Sequence, residues 1–163
     1  MSVAPFVPSS HKVVKRMLEL AEVKSGEVVY DLGCGDGRIV IMAARDFGAK
    51  AVGIELREDL VRSARKAVRE QGLEDRVEII QSNFFEVDIS PADVVTLYLT
   101  TSGNDLLKSK LEKELKKGAR VVSHEYPIRG WNPKLKEKFV EPPSFNYFMR
   151  RFPVSHTLYL YQL

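Results

Sequence analysis

An α/β fold with a seven-stranded, mainly parallel sheet, helices on both faces and an antiparallel C-terminal hairpin is predicted by three observations. Strand-like and helix-like runs alternate through the first two thirds of the chain. A turn with glycine at positions 33, 35 and 37 separates the first strand from the first buried helix. Two β-favouring runs close the chain.

The elements follow in order. Residues 1–8 carry two prolines and the apolar pair Phe6 and Val7, which reads as a stiff arm. Ser9 or Ser10 caps the next helix, where Val14, Met17, Leu18 and Ala21 share one face. Residues 28–30 form strand one, and residues 38–47 form a helix apolar on nearly every side, so buried against the sheet. Strand two, residues 51–54, ends at Glu55. The helix over 58–70 turns Leu60, Ala64, Ala67 and Val68 inward and shows Arg62, Arg65, Lys66 and Arg69 outward. Strands follow over 77–80 and 94–98, then a helix over 104–115 with leucines four residues apart. Strand five covers 119–124. The segment P-I-R-G-W-N-P leaves no room for another long helix. Runs at 135–140 and 156–161 make the hairpin, with N-Y-F-M-R-R-F from Asn146 extending the first run or joining the two.

At 163 residues and 44% apolar, the chain reads as one domain able to bury a core. The arm and first helix occupy 1–22 and the core 23–163. No apolar run reaches the roughly 20 residues of a membrane span, and the N-terminus lacks a signal-peptide pattern. The lone cysteine, Cys34, has no internal partner, which with the rest points to a reducing, cytoplasmic setting. Asn and Gln are sparse beside Lys and Glu, a hint of a thermophile. The net charge of +3 suits acidic partners without requiring nucleic acid. His11, His124 and His156 are scattered without ligand spacing, so no metal site is expected.

The glycine turn, entered from a strand and left through a helix N-terminus, is a cradle for a nucleotide-type cofactor. Asp31 disfavours a pyrophosphate, which a carboxylate repels, and favours a ligand with a cationic amine and a sugar. Glu55, at the end of the next strand, suits two ribose hydroxyls. Loop capping is the alternative role for both carboxylates.

The patterns D-L-G-C-G-D-G-R and V-G-I-E resemble the class I S-adenosylmethionine-dependent methyltransferases, whose sheet is Rossmann-like. P-F-V-P-S, N-F-F, L-Y-L-T-T-S and R-V-V-S-H-E extend the resemblance over nearly the whole chain to small archaeal protein lysine methyltransferases. Those in turn look like the catalytic core of the non-SET histone lysine methyltransferases.

This resemblance implies S-adenosylmethionine bound by Asp31, Leu32, Gly33, Gly35, Gly37 and Glu55, with Asn83 and Phe84 at the adenine. It implies an arm, Phe6, Val7, Pro8 and Ser9, that closes over the cofactor and lines the substrate entrance; an arm merely packed on the core is the alternative. The acceptor side is placed at Tyr98, Thr100 and Thr101, with Glu125 attracting the ammonium or taking its proton, and Tyr126 on the same rim. Tyr98 packing below the cofactor and Glu125 as an ordinary loop carboxylate remain alternatives. Trp131 borders the docking groove or caps the core.

A free lysine amine has a pKa near 10.4, which apolar walls lower, so desolvation is one route to the neutral amine without a dedicated general base, whose identity the sequence leaves open. The expected partners are proteins with exposed lysines, basic chromatin proteins among them, with broad selectivity and self-methylation. No membrane and no obligate nucleic acid is expected. An RNA or small-molecule methyltransferase, guided by the Arg62–Arg69 face and Lys134, Lys136 and Lys138, is one alternative. A non-catalytic scaffold is the other.

Overall fold

A computed structural model describes residues 6–143 and 152–163. Its elements in chain order are α1 (His11–Leu20), β1 (Val28–Leu32), α2 (Arg38–Phe47), β2 (Lys50–Glu55) and α3 (Glu58–Glu70). Then come β3 (Val77–Gln81), β4 (Val94–Leu97), α4 (Thr101–Glu114), β5 (Arg120–His124), β6 (Leu135–Glu141) and β7 (Val154–Gln162). Together the strands form one sheet in the order β3-β2-β1-β4-β5-β7-β6. The first five strands are mutually parallel, while β7 runs antiparallel to both β5 and β6.

Alternation along each strand builds two cores. Val29, Val94 and Val122 pack with α1, α2 and α3 on one face. Their chain neighbours Tyr30, Val95 and Val121 pack with Leu107, Leu111 and Leu115 on the other. Helix α2 is buried along Ile39 to Ala44, as its continuous apolar sequence requires. In α3 the buried set is Leu60, Val61, Ala64 and Val68, with Ala67 only partly covered.

Most strand ends shift by one or two residues from the sequence expectation, and two boundaries bear on the site. Helix α4 starts at Thr101, not Asn104, because the Thr100 hydroxyl accepts the Gly103 N–H at 2.9 Å and caps it. Gly103 is tolerated inside the helix because it is buried, and packing there overrides propensity. Strand β4 accordingly ends at Leu97, which leaves Tyr98 in the short β4–α4 connection. The expectation for Asn146 to Arg151 lies outside the described residues.

Strand order reverses between β1 and β4, each continuing outward on its own side of that junction. Open α/β sheets bind ligands in the crevice beyond the carboxyl ends of strands at such a reversal. The glycine turn follows β1 there, and Tyr98 follows β4.

Candidate active site

A cleft enclosing about 850 Å³, open solvent included, lies over these strand ends. Its floor is Asp31, Gly33 and Cys34, and Glu55, Asn83 and Phe84 stand on one side. Phe6 to Ser9 of the arm, with Tyr98 and Leu99, complete the wall.

The turn needs its glycines for two reasons. Gly33, Gly35 and Gly37 all have positive φ, at 84°, 55° and 84°. At Gly35 a Cβ would also stand 2.3 Å from Cε2 of Phe6, so the arm packs directly on the turn. Arg38, forked onto Asp36, holds the arm from below: its Nη1 donates to the Ser9 carbonyl at 2.8 Å.

Glu55 links the two halves of the cradle. One oxygen accepts the Gly35 N–H at 3.0 Å, the other the Arg57 N–H at 2.9 Å. Asp31 is 3% exposed and accepts the Thr96 hydroxyl at 2.9 Å. Burial pushes its carboxyl up to about 7 against the Thr96 bond, and the negative charges of Glu55 and Asp36 add to the rise. The cleft therefore gathers three carboxylates, with Arg38 engaged by Asp36 and Arg57 by Asp59. Such a lining favours a cationic ligand, and a sulfonium carrying an α-amine meets that test.

Asn83 accepts the Phe85 N–H through its side-chain oxygen at 3.0 Å, which sets the turn that aims Phe84 into the cleft. Phe85 instead packs on Phe84, ring centroids 5.0 Å apart. Leu32 is fully buried in the sheet core, and Gly37 packs on Ala64, so neither lines the cleft by a side chain. The buried Cys34 thiol is pushed up by its surroundings and sits against Gly53.

On the acceptor side the structure separates residues that adjoin in sequence. Tyr98 lines the cleft, and burial raises its phenol, with smaller contributions from Tyr126 and Glu125. Thr100 is the cap of α4 and Thr101 its first residue, and neither is among the residues lining the cleft. Glu125 has a left-handed φ of 71° and lies outside the cleft lining, its carboxylate 3.4 Å from the Thr157 nitrogen. Tyr126 stacks on Tyr98 at 6.5 Å from behind. Buried Asn104 donates to the Tyr126 and Pro127 carbonyls and so fixes that loop. Trp131 is not at the cleft: it packs edge-on against Tyr161 and donates to Glu112, capping the α4-side core.

Two of the histidines are not scattered. His124 Nε2 and His156 Nδ1 are 2.9 Å apart, His124 Nδ1 is 3.0 Å from the Ser9 hydroxyl, and His156 Nε2 is 3.1 Å from Glu141. Ser10 donates to the other Glu141 oxygen. His124 is almost wholly buried, and burial first, then His156, lowers its pKa to about 4. Ligand atoms of His124, Glu125 and His156 lie within 4.8 Å of one another. The two rings are already bonded to each other, and a cation would have to break that bond.

The sheet order, the glycine turn and the carboxylate-lined cleft define a class I S-adenosylmethionine-dependent methyltransferase. Residues 31–135 match the model of the ANTKMT methyltransferase domain, and the chain belongs to that family. It is 54% identical over 158 residues to a protein-lysine N-methyltransferase of Saccharolobus islandicus, covering 96% of this chain and 92% of the relative. The adenine nucleotide translocase lysine N-methyltransferase of Mus musculus is 36% identical over 79% of this chain, which spans 56% of that relative's length. Among solved structures, an RNA methyltransferase from Salinibacter ruber bound to S-adenosylhomocysteine superposes with a TM-score of 0.84 at 45% identity. That match covers 96% of this chain and 93% of the other. S-adenosylmethionine is accordingly the cofactor.

Proposed function

We propose that the protein methylates the ε-amine of lysine side chains in other proteins. The observation that carries this is the 54% identity to a protein-lysine N-methyltransferase along nearly the whole chain. The geometry supports it. The β4–α4 connection is short, and Phe6, Val7 and Leu56 expose an apolar rim at the cleft mouth. A lysine on a folded surface can reach in between the arm and Tyr98, and its aliphatic stem suits such a rim.

Asp31, Gly33, Gly35 and Glu55 would hold the cofactor, with Asn83 and Phe84 at its base. The bound cofactor supplies an electrophilic methyl group on a sulfonium sulfur. The chain's own task is to orient the amine and keep water out. Phe6, packed on Gly35, excludes solvent on one side, while Tyr98 and Leu99 do so on the other. The open rim suits many exposed lysines, basic chromatin proteins and the enzyme's own surface among them, and the sparse Asn and Gln suit a cytoplasmic enzyme of a thermophile.

The Salinibacter protein, named as an RNA methyltransferase, favours RNA as a second reading. The surface argues against it. Arg62 pairs with Glu58 and Lys66 with Glu70, which offsets two of the four basic charges on the α3 face, and Arg65 is tied down on the Ile79 carbonyl. Incubation with labelled cofactor, mixed basic proteins and RNA, followed by hydrolysis, tests both. Label in methyl-lysine is the expected result, and label in a nucleoside would overturn it.

A further inference from the structure

We propose that Ser9, His124, His156 and Glu141 form a directional relay that removes the proton from the amine to be methylated. The inference rests on the amine-acceptor reading above.

The direction follows from an ionised Glu141 beside a neutral His156. An ionised carboxylate only accepts hydrogen bonds, so His156 Nε2 must carry a proton and donate it to Glu141. In the neutral ring His156 Nδ1 is then an acceptor, and His124 Nε2 must donate to it. His124 Nδ1 is left as an acceptor, so the Ser9 hydroxyl donates to it. Ser10 donates to the remaining Glu141 oxygen while its own oxygen accepts the Val13 N–H. Every bond from the cleft wall points toward Glu141. The Ser9 oxygen keeps lone pairs for a donor arriving in the cleft it lines.

A substrate ammonium is such a donor. Its N–H bond breaks with the electron pair staying on nitrogen, and the proton goes to Ser9 as Ser9 passes its own to His124 Nδ1. His124 gives its Nε2 proton to His156 Nδ1, and His156 gives its Nε2 proton to Glu141. One proton moves from the amine to the carboxylate, and nothing is oxidised or reduced. Neither ring needs to hold a lasting charge, so the depressed basicity of buried His124 is no obstacle.

The carboxylates of the cleft itself are otherwise occupied: Asp31 by Thr96, Asp36 by Arg38, Glu55 by two backbone N–H groups. Among the described residues, titratable and charged groups around the relay include Tyr98 after β4, and Glu125 and Tyr126 after β5. Arg38 on α2 bonds the Ser9 carbonyl, and the Arg16–Glu137 pair joins α1 to β6. None of these groups lies between consecutive members of the four-residue path.

Glu141→Gln keeps an acceptor for His156 but cannot take a proton readily. Near neutral pH its kcat should fall about tenfold or more, the low end for general-base catalysis or just below it. KM for the protein substrate should not change. Near pH 10.4, where about half of a free amine is already neutral, the variant should converge on the wild type. Ser9→Ala should show the same alkaline rescue. Long-range nitrogen-15 spectra of the free protein should show both rings neutral and protonated at Nε2.

An equal deficit at all pH values, no deficit in a variant with wild-type melting, or His124 protonated at Nδ1 would each overturn the relay. In the first two cases the wild type still makes methyl-lysine, and the acceptor reading stands. A wild type that makes none removes both.

Discussion

Glu55, at the end of β2, accepts the backbone N–H of Gly35, in the turn after β1, at 3.0 Å. The two residues are twenty positions apart, yet the carboxylate expected to hold a sugar already braces the loop beneath it. In the proposed site, binding and preorganisation would share one side chain. Glu55→Ala should weaken cofactor binding at least tenfold, consistent with hydrogen bonds to a charged group worth about 1.5–3 kcal/mol. Titration calorimetry reads it, and unchanged affinity would remove Glu55 from the site.

Phe6 and Gly35 test the arm. Gly35→Ala forces a Cβ into the Phe6 ring and holds a non-glycine residue at a φ of 55°. The backbone part alone costs about 1–2 kcal/mol. Adding Phe6→Ala should recover the steric part and leave the backbone part, a coupling measurable by denaturant melts of the single and double variants.

Asp31 makes stability depend on pH. Its carboxyl titrates near 7 when folded, against 3.8 for a free side chain, because it is buried. The folded chain thus binds this proton more tightly, so the group's stabilising contribution is full below about pH 4 and is lost as pH rises to 7. Asp31→Asn should remove that slope and raise stability at about pH 8 by on the order of 2–4 kcal/mol. Cofactor affinity should fall in the same variant. Melts at about pH 4.5 and pH 8 give the comparison.

The α3 face should be silent. Reversing Arg62 and Lys66 to Glu should leave turnover of a protein substrate within about twofold, with little change in salt dependence, since pairs this exposed contribute little. A large loss that tracks salt would favour a polyanionic substrate.

The cleft beyond β1 was legible because its signals are local. Three alternate glycines and an acidic residue one strand later name a cradle without any tertiary knowledge. The boundary of α4 was not, because a buried Gly103 looks like a break until its packing is seen. The Thr100 hydroxyl read as a substrate group, and its task as the α4 cap shows only in the fold. His124, His156 and Glu141 carried no signal at all. They lie on three strands, and only the antiparallel register, pairing His124 with Leu158 and Phe139 with His156, brings them together. Trp131 had two equal readings, and contact with Tyr161 selects the core.

A crystal structure with S-adenosylhomocysteine and a lysine peptide bound together tests the account most directly. The ribose hydroxyls should lie on Glu55, and the lysine amine should enter between the arm and Tyr98, within hydrogen-bond distance of the Ser9 hydroxyl. A ribose held elsewhere, or an amine approaching from a side that touches neither Tyr98 nor Ser9, would contradict it.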